Sequence, residues 1–101
     1  DRLLIPVSLE DVRMNIGLPI FVDWKHPPFK FNEIIEWKSR INLASSFFVA
    51  KNFDQKMSIL NEINEIENIS HVLINKKDLI NGCKDLIDDI KYSLVSKKDC
   101  Y

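Results

Sequence analysis

Glycine and proline are scarce. The chain of 101 residues has 2 glycines and 4 prolines, which excludes collagen-like, linker-like and disordered compositions. Gly17 and Gly82 stand far apart, so no glycine-rich loop can cradle a phosphate. No apolar run approaches the roughly 20 residues that a transmembrane helix needs, and no succession of charged, apolar and small residues marks a secretory signal. A surplus of one charge is also missing. Against 15 acidic side chains stand 14 basic ones, for a formal charge of −1, whereas the phosphate contacts of a dedicated nucleic-acid binder demand a clear basic excess. Nucleic acid is therefore not an expected partner. His26 and His71 are the only histidines, and neither has Cys, Asp or Glu at zinc-site spacing, so no metal and no cofactor is expected. Ser45-Ser46 lie in a helical stretch without a nucleophile elbow or an identifiable base. No catalytic residue is assigned.

What is present is a normal globular composition, 46% hydrophobic and 29% charged. It predicts one small water-soluble domain over residues 1–101, able to bury roughly two thirds of its unfolded surface in a single core. The chain opens on Asp1-Arg2-Leu3-Leu4 without an initiator Met and stops at Tyr101 just after Lys97-Lys98-Asp99. It therefore reads as a domain excised from a longer protein.

Leu3 to Val7 form a short apolar run, and Ser8-Leu9-Glu10-Asp11 supplies an N-cap serine with a carboxylate three positions on, close to a capping box, which predicts a helix start. Gly17 suits the end of that helix and Pro19 prevents its continuation. Ile20 to Trp24, apolar on both faces, predict a buried parallel strand, which the prolines of Lys25-His26-Pro27-Pro28 terminate. From Asn32 the period is helical: Ile34, Trp37, Ile41, Ala44 and Phe48 share a stripe, with Glu36 and Arg40 four apart on its flank. Asp54 is the expected cap of the next helix, to Glu67, with Ile59, Ile63 and Ile66 inward and Leu60 widening the stripe. His71 to Asn75 predict a strand. Asp78 to Ile90 carry an amphipathic pattern, Leu79, Cys83, Leu86 and Ile90, interrupted by Gly82, and Tyr92 to Val95 alternate as a half-exposed strand. Lys97-Lys98-Asp99 is expected to turn the chain into a last, truncated strand. The sum is an α/β layered fold: a mostly parallel sheet of three or four strands with an antiparallel edge, flanked by about four helices, two of them a hairpin.

Phe21-Val22-Asp23-Trp24-Lys25-His26-Pro27-Pro28-Phe29 is the most unusual stretch. An Asp and a Lys two apart at a strand end point to one side, where open α/β sheets form ligand crevices. One reading makes a small site of Asp23, Lys25 and His26, with Glu33, Glu36 and Arg40 reaching in from the next helix. The other makes the same residues an ion-pair network that fixes the strand-to-helix connection, with Trp24 and Trp37 packed nearby, and residue types alone do not separate the two. Asp23-x-Lys25, with Glu10 or Asp11 upstream, also resembles the half-motif of restriction-endonuclease-like nucleases. There two carboxylates hold Mg²⁺ and the lysine orients the attacking water. Cys83 falls on an apolar stripe, as a buried thiol would, and Cys100 lies near the chain end. Two cysteines permit a bridge without requiring one, which leaves the pairing open. Phe47-Phe48-Val49 and Phe53 concentrate aromatic surface at the joint of two helices, to be buried in the core or offered to a partner.

Val12-Arg13, Pro19-Ile20-Phe21-Val22-Asp23-Trp24-Lys25, Pro28-Phe29 and Glu36-Trp37-Lys38-Ser39-Arg40 together resemble an uncharacterised bacterial domain found at the soluble C-terminal end of multi-pass membrane proteins. The overlap covers roughly Leu3 to Ile41. The ending, from Val72-Leu73-Ile74 through Tyr92-Ser93-Leu94-Val95 to Tyr101, is similar to soluble tails of polytopic glycosyltransferase-like proteins. The resemblance implies motif positions at Arg13, Asp23, Lys25, Glu36, Trp37 and Arg40. It also implies an extracytoplasmic address, with the membrane-embedded part of the parent chain or another protein as partner. The first expectation is thus a non-catalytic accessory domain. A module holding an anionic or saccharide group with Arg13, Lys25 and Arg40 is the second, and a metal-dependent nuclease built on Asp23 and Lys25 the third.

Overall fold

A computed structural model of the chain describes residues 2–7, 16–80, 82–87 and 89–101. The expected helix after Ser8, with Glu10, Asp11 and Arg13, lies outside them. The order is β1 (Arg2–Leu4), α1 (Phe31–Val49), α2 (Phe53–Ile66), β2 (Ile69–Asn75), a 3-10 turn (Lys76–Asp78), β3 (Tyr92–Ser96) and a short α3 (Lys97–Cys100). The sheet runs β1-β2-β3. β1 lies parallel to β2, with Leu3 opposite His71 and Leu4 opposite Val72. β2 and β3 form the longer, antiparallel ladder, from His71 opposite Ser96 to Asn75 opposite Tyr92.

Both faces of this sheet are covered, which is why β2 reads Val72-Leu73-Ile74 without alternation. Val72, Ile74 and Val95 pack with Ala44, Phe47, Leu60 and Ile63 of the helical hairpin. Leu73 and Leu94 face the other way, with Leu3 and Ile5, under Ile16, Leu18, Ile20 and Ile87. The hairpin forms as expected, with two adjustments. Asn52, not Asp54, caps α2: its side chain accepts from the Gln55 amide at 2.8 Å. Phe47 is the buried aromatic of α1 while Phe48 is half-buried. Phe47 packs edge-on against Phe48 and Tyr101, with ring centroids 5.1 and 5.7 Å apart.

Three expectations are corrected. The sheet is a mixed one of three strands whose main ladder is antiparallel, because Ile20–Trp24 do not form a strand. Only Ile20 bridges to Leu3, through Leu3 N to Pro19 O (2.8 Å) and Phe21 N to Leu3 O (3.0 Å). Beyond that point side chains take the carbonyls that a ladder would use. Arg40 Nη1 donates to Phe21 O at 2.9 Å, Trp37 Nε1 to Asp23 O at 2.6 Å and Trp24 Nε1 to Ile5 O at 2.8 Å.

Second, the described residues of the stretch from Asp78 to Ile90 form no amphipathic helix, and the described residues hold three α-helices, not four. Gly82 takes φ +90°, left-handed backbone that breaks helical continuity. The aspartates capture nearby amides: Asp85 Oδ1 accepts from Ile87 N at 3.1 Å and Asp89 Oδ1 from Lys91 N at 2.7 Å. This local competition is what makes Asp unfavourable inside helices. Cys83 is joined to Cys100 in a disulfide with Cα atoms 5.5 Å apart, instead of remaining a thiol on a helical stripe. Third, Lys97–Cys100 forms α3, not a turn into another strand. Tyr101 N donates back to Lys97 O at 2.8 Å.

Asp85 organises the described residues around it. Its carboxylate also accepts from the hydroxyl of fully buried Ser93 at 3.0 Å and from Leu94 N at 3.3 Å, and pairs with Lys76 Nζ at 3.2 Å. The Lys76 ammonium further donates to Asp89 O. Partial burial pushes the Asp85 carboxyl up, but the Ile87 amide, Ser93 hydroxyl, Lys76 ammonium and Leu94 amide outweigh it and hold it below the usual carboxylate value. A depressed folded-state pKa stabilises the fold above the unfolded value of about 3.9, and that contribution disappears as pH falls through the folded value. Asp85→Asn is thus expected to lower the urea midpoint at pH 7, with the gap to the parent closing below about pH 3.9. An equal gap at pH 7 and at the acid end would contradict this role.

Candidate functional site

The segment singled out by sequence turns away from the sheet against α1. Asp23 Oδ1 accepts from the amides of Lys25 and His26 at 3.1 and 3.2 Å, an Asx-type turn, and meets His26 Nδ1 at 3.1 Å. Glu36, Trp37 and Arg40 approach from α1. Arg40 is the hub: besides Phe21 O, its guanidinium bonds Glu36 Oε1 at 2.9 Å and Glu67 Oε1 at 3.3 Å, and lies 4.9 Å over the Phe21 ring. Arg2 reaches the same Glu67 at 3.5 Å and donates to Ile20 O at 3.4 Å. Arg2 and Glu67, not among the site residues that the sequence singles out, join because Arg2 N donates to Asn68 O, which sets β1 beside the end of α2.

Asp23, Glu36, Trp37 and Arg40 therefore do come together, around a shallow depression of about 270 Å³ that Glu33 and Val22 complete. Lys25 and His26 are exposed on the turn beyond it, and Arg13 lies outside the described residues. In this arrangement the polar groups fasten an irregular segment to α1 and α2 by satisfying its carbonyls. Arg40, with 16% of its side chain exposed, sits between two carboxylates, so an incoming anion would have to displace Glu36 or Glu67. Among the described residues no three His, Cys, Asp or Glu side chains gather as a metal site would require.

A larger cleft, which sequence reasoning missed, opens at the carboxyl ends of β1 and β2. About 570 Å³ in volume, it is lined by Pro6, the hairpin link and Phe48, Phe53 and Lys56, by Ile74, Asn75 and Asp78, and by Ile80 and Tyr101. Lys56 Nζ donates to Phe47 O at 2.8 Å and sits 4.7 Å over the Phe47 ring. Burial lowers its pKa from the usual lysine value, with the Asp78 charge opposing. Burial, followed by the same Asp78 charge, raises that of Tyr101. Phe53 and Tyr101 stack nearly parallel at 6.1 Å. No motif announces this cleft, because its wall is drawn from four separated stretches of chain. The aromatic concentration at Phe47-Phe48 and Phe53 was the one available signal. Comparison with known proteins returns no match to a family model, to a curated protein or to a solved structure.

Proposed function

We propose that this chain is a non-catalytic accessory domain of a multi-pass membrane protein, lying outside the cytoplasm and resting on an anionic membrane surface. The carrying observation is the exposure of Phe29, Phe31 and Ile35, at 99%, 76% and 55%. Phe31 and Ile35 are one helical turn apart and share a face of α1, with Phe29 just ahead of the helix. Isolated exposed apolar residues are ordinary, but three large ones in a short stretch, two of them aromatic, suit an apolar medium. Exposed Lys25, His26, Lys30 and Lys38 flank them along the chain, Lys38 one turn beyond Ile35, with Glu33 and the Arg40-paired Glu36 as the acidic exceptions. Basic groups around an apolar tip match an anionic headgroup layer, into which lysine stems extend while the rings sink.

The Cys83–Cys100 bridge supports the address, since disulfides persist in oxidising compartments. Among the described residues no helix is long and apolar enough to cross a membrane, so the spans of the parent would lie elsewhere. The resemblance of the Val22-Asp23-Trp24-Lys25 and Glu36-Trp37 stretches to a domain of such proteins points the same way.

Co-sedimentation with vesicles tests the reading. The chain is expected to pellet with phosphatidylglycerol-containing vesicles, less so at high salt, and weakly with pure phosphatidylcholine. The double variant Phe29→Ser, Phe31→Ser is expected to bind at least about tenfold more weakly, since each buried phenyl group contributes about 1.5–3 kcal/mol. No pelleting with either vesicle, or no effect of the double variant, would overturn it and direct the search to a protein surface.

A further inference from the structure

We propose that the cleft between the helical hairpin and the carboxyl ends of β1 and β2 binds a saccharide, one ring or two in size. The position of the cleft supports this. In open sheets with parallel strands the crevice beyond the strand carboxyl ends is where ligands sit, because the connections there diverge and leave backbone and side chains facing a common space. Pro6 follows β1 and Asn75 ends β2 at this rim. The volume of about 570 Å³ falls within the range usual for small-molecule sites.

The wall mixes donors and acceptors within a few side chains. Lys51 and Lys56 donate, and Asp78 accepts. Asn52 uses its oxygen to cap α2, which leaves its amide nitrogen as donor, while Asn75 can do both. A simple anion would meet Asp78, and a simple cation would meet the lysines. A polyol has hydroxyl groups that donate and accept at once, so it can satisfy all of them without bringing a charge. The wall is apolar in part. Half-exposed Phe53, stacked on Tyr101, and half-buried Phe48 offer flat surface at the same rim. The C–H faces of a pyranose pack on such rings while its hydroxyls point outward to the amides. The disulfide at Cys100 ties down the segment carrying Tyr101, so this wall is preformed and little ordering is left to binding.

The test is a titration of the chain, followed by two-dimensional amide NMR, with glucose, mannose, galactose, N-acetylglucosamine and maltose in turn. At least one is expected to give saturable shifts confined to Asn52, Phe53, Asn75, Asp78 and Tyr101. Asp78→Asn and Asn75→Ala are each expected to weaken that sugar about tenfold, the effect of losing one hydrogen bond in a partly desolvated site. The two variants change separate side chains three residues apart, and the amide spectrum shows for each whether the fold is kept, so a folding defect in one leaves the other to decide. The inference is overturned if no sugar gives saturable shifts, if the shifts fall at Asp23 to Arg40 instead, or if both folded variants bind as the parent does. It is equally overturned if acetate or phosphate reproduces the footprint while the sugars do not. The vesicle experiment reads a different face, so either proposal can fail alone.

Discussion

Phe47→Ala is expected to remove about 3–5 kcal/mol of folding stability, the range for truncating a buried phenylalanine. For a domain of this length, whose total stability is of the order of 5–15 kcal/mol, that is a large fraction. The ring is fully buried, where the hairpin meets the sheet. Phe48 and Tyr101 pack edge-on against it, and the Lys56 ammonium lies over its face. Removing it leaves a cavity between elements that cannot close up independently, since α1 and α2 are joined and both rest on β2. Urea denaturation followed by circular dichroism should show a much lower midpoint with an unchanged slope. Phe48→Ala, at a half-buried position, should give a distinctly smaller shift. Equal shifts for the two would show that the stripe of α1 is wrongly placed.

The second large effect is expected at the disulfide. Cys83 and Cys100 close a loop of sequence separation 17, and a cross-link of that span stabilises by about 3 kcal/mol, chiefly by restricting the unfolded chain. The bridge also does local work. The described residues between Cys83 and Lys91 form no helix or strand, and α3 is a single turn, so each part is held by few regular hydrogen bonds. The double variant Cys83→Ser, Cys100→Ser should lose about 3 kcal/mol, and dithiothreitol should lower the midpoint of the parent by the same amount while leaving the variant unmoved. Matching midpoints for oxidised and reduced parent would refute the assignment.

The hairpin and the strands at Ile69–Asn75 and Tyr92–Ser96 were legible because each states its period within its own residues: Trp37, Ile41 and Ala44 for α1, Leu60 and Ile63 for α2, the apolar run Val72 to Ile74 for β2. Where sequence reading failed, the deciding partner lay far along the chain or in a side chain. Ile20–Trp24 has the composition of a strand, but the indole groups of Trp24 and Trp37 and the guanidinium of Arg40 cap carbonyls around it. Asp78–Ile90 has helical periodicity, yet Asp85 and Asp89 bond to amides two residues on, and Gly82 turns the backbone the other way. These aspartates could have been weighed as turn formers, and the Asp-x-x-x-Asp spacing was visible. Much of the candidate cluster was anticipated, since Asp23, Glu36, Trp37 and Arg40 do converge. Arg2 and Glu67 were not, because nothing local shows that the first strand and the end of the second helix would meet. The cleft was hidden for the same reason.

The parallel pairing of β1 with β2 joins residues 2–4 to residues 69–72. During vectorial synthesis the apolar Leu3-Leu4-Ile5 segment emerges early and has no strand partner until β2 has been made, whereas the hairpin can assemble from neighbouring residues. High contact order of this kind slows folding, because the chain must close a long loop before the pairing repays it. An apolar segment left waiting is also a target for association with other chains. On a nascent chain, then, the first strand made is expected to be the last to pair, after the hairpin has assembled and β2 has followed it.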